Sequence, residues 1–316
     1  MRIQHLRIWH LKSCGHPSSS YGCILHCSRK ILTQKRDLKN KVVVITGGAS
    51  GIGRMLAHRL AELGATKLIL LDANKAGLDE VKEQLKDLTQ VYIYTCDVSK
   101  FVMVQKVMEQ AKKDIAPATI DILINNAGVV QGKWFLELKP EQVQQTLNTN
   151  VLSHFWLNQV ILPDLIEQKQ GLIVTMSSVM SLVGSAGLCD YCASKWAATG
   201  FHESLRLELK RMQCDQYIDT LLVCPYAVNT GMFQGIFDNN PVVRALMPVL
   251  ATKDVADRII GAMQNREQIL IGCTQSWHRF IFPWLGVLLH MLPTVFMDSI
   301  VGALGGCSGM DTFTGR

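Results

Sequence analysis

The chain has 316 residues, enough for one large α/β domain or two small ones, and its apolar mass (48% hydrophobic, only 7% aromatic) is aliphatic, as buried parallel strands require. The formal charge of +6 sits at one end: residues 1–36 hold seven Lys or Arg and no acid, so the remainder is near neutral and gives no basis for nucleic-acid binding. Ten cysteines are scattered, with Cys96, Cys189, Cys192 and Cys224 beside other motif residues, which argues against a disulfide framework and for a reducing compartment or a cytosol-facing domain. No metal site is expected, since Cys189-x-x-Cys192 flanks a tyrosine that chemistry needs.

Residues 1–38 read as a basic, disordered tail with Ser18-Ser19-Ser20, four histidines and no sustained apolar run. A secretory signal or anchor needs a longer hydrophobic core, whereas an acid-free start containing Arg and Ser is compatible with a mitochondrial transit peptide. Lys41–Thr46 reads as a buried strand running into Gly47-Gly48-Ala49-Ser50-Gly51-Ile52-Gly53 and then a helical pattern from Arg54 to Leu63. Strand, glycine turn and helix form the context of a dinucleotide fingerprint: glycines let the backbone approach a pyrophosphate, and the helix N-terminus offers N–H groups and a positive dipole end. The next strand ends at Asp72, placed to accept hydrogen bonds from both ribose hydroxyls and to repel a 2′-phosphate; Ala73 and Asn74 follow rather than Arg, which favours NAD over NADP. Tyr94-Thr95-Cys96-Asp97-Val98 closes a third strand, where Asp97 meets the adenine, and Asn125-Asn126-Ala127-Gly128 closes a fourth.

Strands near 41–46, 67–72, 91–96, 120–125, 171–177, 217–224 and 268–272 alternate with helical patterns, one of them a long pattern from Glu141 to Gln168 that carries Asn150. They predict a doubly wound, seven-stranded parallel sheet of Rossmann type with helices on both faces, over a domain at 39–275 that includes a substrate lid at 230–250. Within it, Tyr191-x-x-x-Lys195 places a phenol and an ammonium on one helix face. A free phenol titrates near 10; a fixed cation beside it would lower that value and suit it to interconverting an alcohol and a carbonyl. The lid stretch carries Met232, Phe233, Ile236, Phe237, Val242, Val243, Leu246 and Met247, an apolar set suited to an apolar ligand. In the final segment, 276–316, Phe280 to Met297 holds no full charge, but Pro283, Pro293 and His290 argue for an interfacial element rather than a clean span.

These residues together resemble the short-chain dehydrogenase/reductase superfamily. Thr46-Gly47-x-x-x-Gly51-x-Gly53, Asn125-Asn126-Ala127-Gly128, Asn150, Ser178 and Tyr191-x-x-x-Lys195 match its motifs in order, over roughly residues 40–275. Within it, Asn125 to Val130, Asp190 to Lys195, Gly200 to Leu205 and Leu222 to Tyr226 are similar to the membrane-associated retinol dehydrogenases and retinal reductases, with lipid-droplet hydroxysteroid dehydrogenases as near relatives. Those relatives usually begin with a hydrophobic anchor, from which this start departs.

The resemblance implies a catalytic set of Asn150, Ser178, Tyr191 and Lys195. Tyr191 takes the substrate proton, Ser178 holds the substrate oxygen, Lys195 also binds the nicotinamide ribose, and Asn150, which judged alone would be a surface amide, holds a relay water. Ser177 is the rival serine, fourteen residues before Tyr191 instead of the family's thirteen. Cofactor contacts are expected from Gly47, Ser50, Gly51, Ile52 and Gly53, from Asp72, Asp97 and Val98, and from Asn125, Ala127 and Gly128. Pro225, Val228 and Thr230 complete them, with Asn229 near the carboxamide. The implied reaction is NAD-dependent oxidation of a lipophilic alcohol, all-trans-retinol to retinal. A hydroxysteroid dehydrogenase, an NADPH-dependent retinal reductase and a catalytically silent dinucleotide-binding partner stay open. A homodimer on the endoplasmic reticulum membrane or a lipid droplet, facing the cytosol, is the expected setting, with mitochondria as the alternative.

Overall fold

Successive side chains of a strand point to opposite faces. In β1 (Val42–Thr46), Val42 and Val44 go one way, Val43 and Ile45 the other, and all four are buried, so the strand needs cover on both sides. The computed structural model describes residues 35–233, 249–272, 291–303, 306, 310, 311, 313 and 314, and the fold supplies that cover with helices. In chain order β1 is followed by α1 (Gly51–Glu62), β2 (Lys67–Asp72), α2 (Lys75–Leu85), β3 (Gln90–Thr95), α3 (Phe101–Ile115) and β4 (Ile122–Asn125). Then come α4 (Pro140–Leu147), α5 (Ser153–Glu167), β5 (Gly171–Met176), α6 (Cys189–Arg211), β6 (Ile218–Pro225), α7 (Thr252–Gln264), β7 (Ile269–Gly272) and α8 (Thr294–Ala303).

The seven strands form one parallel sheet in the order β3-β2-β1-β4-β5-β6-β7. Val43 stands opposite Leu68 of β2 and Ile122 of β4. Leu56 and Leu60 of α1, Leu78 of α2 and Ile259 of α7 pack on the face of Val43 and Ile45. Met108 of α3, Leu157 and Ile161 of α5 and Leu209 of α6 pack on the face of Val44 and Ile69. Strand order reverses between β1 and β4, and a crevice at the carboxyl ends of the strands belongs there.

Three expectations shift. The first helix begins at Gly51 instead of Arg54, because the glycine turn itself forms its opening turn. The helical pattern Glu141 to Gln168 is not continuous: a π turn, Asn148–Leu152, separates α4 from α5. The domain's packing starts before residue 39, since Leu38 is buried in the core and Arg36 donates to the Gly171 carbonyl (3.2 Å) and pairs with Asp219. The lid positions Ile236, Phe237, Val242, Val243, Leu246 and Met247, the stretch 273–290 and residues 1–34 lie outside the described residues. No helix of the described residues is long and apolar enough to cross a membrane.

Candidate active site

The glycine turn is shaped by backbone that side chains would block. Gly47 has φ +68° and Gly51 φ +54°, and a Cβ on Gly53 would fall 2.1 Å from the Gly47 carbonyl oxygen. A threonine and an asparagine clamp this turn to the end of β4. Thr46 Oγ1 accepts from the backbone N–H groups of Asn126 and Ala127, both at 2.9 Å, while Asn126 Nδ2 donates to the Thr46 carbonyl at 2.8 Å. Asp72, at the tip of β2, is held by the N–H groups of Ala49 (3.0 Å) and Asn74 (2.9 Å). Asp97 accepts from the Ser99 N–H and pairs with Lys100; burial alone would raise its carboxyl, and these contacts bring it below its ordinary value.

A cavity of about 760 Å³ runs along this edge. Gly47, Ser50, Gly51, Ile52, Asp72, Asp97 and Val98 line it after β1, β2 and β3, and Ala127, Gly128, Pro225, Val228 and Thr230 line it after β4 and β6. Ser178, Tyr191 and Lys195 line it too, beside Met180, Leu182, Val183, Leu188 and Met232. Three expected contacts fall elsewhere. Asn125 shares the strand face of Leu123 and is fully buried, so its side chain goes into the helix layer and the next residue, Asn126, reaches the cavity. Gly53 packs beneath Gly47 and is not part of the lining. Asn229 is exposed, with its carbonyl bound by Thr252.

The rival serines separate by their bonds. Ser177 Oγ donates to the Lys195 carbonyl (3.0 Å) and meets Thr199 Oγ1 (2.8 Å), tying β5 to α6. Ser178 faces the cavity, and its hydroxyl accepts from the Met180 N–H at 3.2 Å. Burial pushes the Tyr191 phenol well above its ordinary value, and the hydrogen bond with Ser178 pulls it partly back. The expected acidification by Lys195 does not prevail: its Nζ lies 5.5 Å from the Tyr191 ring centroid and donates to the Met176 carbonyl at 3.0 Å. Burial lowers Lys195 itself to about 8. Asn150, which read alone as a surface amide, is fully buried, because the π turn adds a residue to the helix and swings it inward. Its Oδ1 accepts from the Val129 N–H (2.8 Å) and its Nδ2 donates to the Val129 carbonyl and to Ser194 Oγ, both at 2.9 Å.

The sequence reading missed one wall of the cavity altogether. Val301, Gly306, Met310 and Thr314 line it. The Gly306 carbonyl accepts from the Ala186 N–H (2.8 Å) and from Ser185 Oγ (2.9 Å), which docks the tail onto the loop before α6. Met310 and Phe313 join an apolar cluster with Val130, Leu188 and Tyr191, and any side chain at Gly132 would collide with the Phe313 ring. Only the glycines at 132 and 187, both with positive φ and both against tail residues, hint at this contact.

A doubly wound sheet with a glycine-lined cavity that ends on a buried tyrosine, serine and lysine defines a nucleotide-dependent oxidoreductase. Comparison with known proteins agrees. The family model for short chain dehydrogenases matches residues 41–241. Short-chain dehydrogenase/reductase family 16C member 6 of Bos taurus is 42% identical over 240 residues, 75% of this chain and 74% of that protein. Epidermal retinol dehydrogenase 2 of Homo sapiens is 38% identical over 238 residues, 75% of each. Among solved structures, a short-chain dehydrogenase/reductase from Burkholderia phymatum in complex with NAD superposes with a TM-score of 0.69 at 25% identity, covering 81% of this chain and 95% of that one. The chain belongs to the short-chain dehydrogenase family, and NAD(P)-dependent oxidoreduction at a CH–OH group is its chemistry.

Proposed function

We propose that the protein oxidises a lipophilic primary alcohol, all-trans-retinol, to its aldehyde with NAD. The observation that carries this is the cavity, whose one lining joins the acids and glycines after β1, β2 and β3 with Met and Leu side chains and with Tyr191 and Ser178. The cradle fits a dinucleotide, since a Cβ at Gly47 would meet Asn126 at 2.8 Å and Asp72 is pinned at the tip of β2 beside the glycine turn, where it would meet a ribose. Bound NAD supplies the hydride acceptor. Gly47, Ser50, Gly51 and Ile52 would hold its phosphates at the start of α1; Asp72 would hold the ribose, Asp97 and Val98 the adenine, and Val228 and Thr230 the nicotinamide end.

Ser178 would hold the substrate oxygen and Tyr191 would take its proton. The phenol, raised by burial, needs positive charge at the moment of reaction, and the Lys195 ammonium is the buried cation beside it. A lysine near 8 can also pass the proton on. Both Asn150 amide protons are engaged, so a relay water would rest on its backbone carbonyl while the side chain fixes α6. Relatives named as retinol dehydrogenases support the retinoid over a sterol. Membrane association is supported by α8, which leaves Val295 and Phe296 exposed. A homodimer is supported by exposed Leu147, Leu152, Phe155 and Trp196 on adjoining helices. Ranking kcat/KM over retinoids and sterols with NAD and NADP tests the reading: all-trans-retinol with NAD should lead, and a sterol or NADP in first place would overturn it.

A further inference from the structure

Trp134, Phe135 and Leu136 are three consecutive large apolar side chains, and they are 56%, 68% and 93% exposed. They stand on a single 3-10 turn, Phe135–Glu137, between β4 and α4. Burying apolar surface is worth about 25 cal/mol per Å², so such a run folds inward unless something holds it out. A polar brace does so. Gln142 Oε1 accepts from the Lys139 N–H (3.2 Å) and the Lys133 ammonium (3.4 Å), and Gln142 Nε2 donates to Gln131 Oε1 (3.1 Å). Gln131 also reaches Thr146 Oγ1 at 3.4 Å, and Thr146 donates to Asp190, the residue before Tyr191, at 2.7 Å. The turn is therefore presented on a base continuous with the helix that carries the catalytic tyrosine.

The same segment is part of the substrate wall. Val129 lines the cavity, Val130 packs with Leu188, Tyr191, Met310 and Phe313, and Gly132 lies against the Phe313 ring. The three side chains expose on the order of 500 Å², the size of a large functional patch on a monomer but short of the roughly 800 Å² per partner that a stable dimer uses. Lys133 and Lys139 flank the turn, Glu137 lies within it and Glu141 follows in the first turn of α4, so the apolar side chains rather than net charge mark this surface.

We propose that the Trp134–Leu136 turn seats the protein on a phospholipid bilayer, its side chains entering the headgroup boundary next to the wall of the substrate cavity. This deepens the lipophilic-alcohol reading and gives the substrate a short path from lipid to site. Interfacial binding scales with buried apolar area, and tryptophan favours that depth.

The test needs no turnover. The full chain is mixed with phosphatidylcholine/phosphatidylserine vesicles carrying brominated acyl chains, and the emission of Trp134→Phe is subtracted from that of the parent to isolate Trp134. The difference emission should shift to the blue and be quenched about twofold, and Phe135→Ser/Leu136→Ser, at exposed positions, should lower vesicle partitioning about tenfold. Difference emission untouched by brominated lipid, a parent chain that does not bind vesicles, or a double variant that partitions like the parent would overturn the proposal. So would a double variant that dissociates a dimer in the absence of lipid, which would assign the turn to a second copy. Quenching that persists while retinol fails as a substrate would retain the docking surface and refute only the substrate.

Discussion

Replacing Asn150 with leucine removes three hydrogen bonds at almost constant volume. The Val129 N–H and carbonyl and the Ser194 hydroxyl each lose a partner, in a place where Asn150 is fully buried. A typical bond contributes about 0.5–1.5 kcal/mol net, and a buried group left unpaired costs about 1–3 kcal/mol, so the three together come to about 3 kcal/mol or more. For a folded unit of this size about 2–4 °C is lost per kcal/mol, which predicts a fall in Tm of roughly 6–12 °C. The assay is thermal unfolding of the full chain, followed by both fluorescence and circular dichroism. Ser194→Ala, which removes one of the three bonds and also the Ser194 hydroxyl's bond to the Tyr191 carbonyl (2.7 Å), should cost about 1–3 kcal/mol on the same scale. An Asn150→Leu chain that melts within about 2 °C of the parent would show that the amide does not brace α6 as described, whatever it does to activity.

Tyr191→Phe should lower kcat by about 10²–10⁴-fold while NAD binding and Tm stay close to the parent, because the ring keeps its packing and only the proton-transfer group is lost; titration of NAD by fluorescence reads the binding. Asp72→Ser should weaken the preference for NAD over NADP through loss of charge repulsion, read as the ratio of kcat/KM values; a parent enzyme that prefers NADP would contradict the assignment. Burial holds His154 down to about 3 and His202 down to about 4, while the unfolded chain titrates near 6.5. The unfolded state then binds more protons in that window, so stability is full above about pH 6.5 and falls on acidification, by up to about 1.4 kcal/mol per pH unit for each histidine. Urea unfolding at pH 7, 6 and 5 checks the slope, which His154→Gln/His202→Gln should flatten.

Local patterns in the sequence carried the strands, the glycine turn and the acid at the tip of β2. Parallel strands covered on both faces read as aliphatic runs, and six of the seven strands start and end within one residue of their expected limits; β4 starts two residues late. The glycine turn and Asp72 depend on residues next to one another in the chain, and so could be read from it. Asn150 could not be placed inside, because a π turn shifts a helix by one residue and leaves no composition to mark it. The same one-residue sensitivity, at the end of β4, exchanged Asn125 for Asn126 as the side chain at the cavity. Burial raises the Tyr191 phenol despite the cation beside it, and spacing reports which groups are near but says nothing of how deeply they are buried. Met310 and Thr314 line the cavity from about 120 residues beyond Tyr191, a contact set by tertiary packing and without a motif.

We propose that this chain couples oxidation of a lipophilic alcohol to reduction of NAD through Tyr191, and incubation of the purified full chain with all-trans-retinol in phospholipid vesicles and NAD, with retinal and NADH quantified in the same sample, reads that coupling. Equal molar amounts of the two products are expected from the parent and at most a trace from Tyr191→Phe; retinal and NADH formed equally well by the phenylalanine variant, or no retinal from the parent in the presence of NAD, would contradict it.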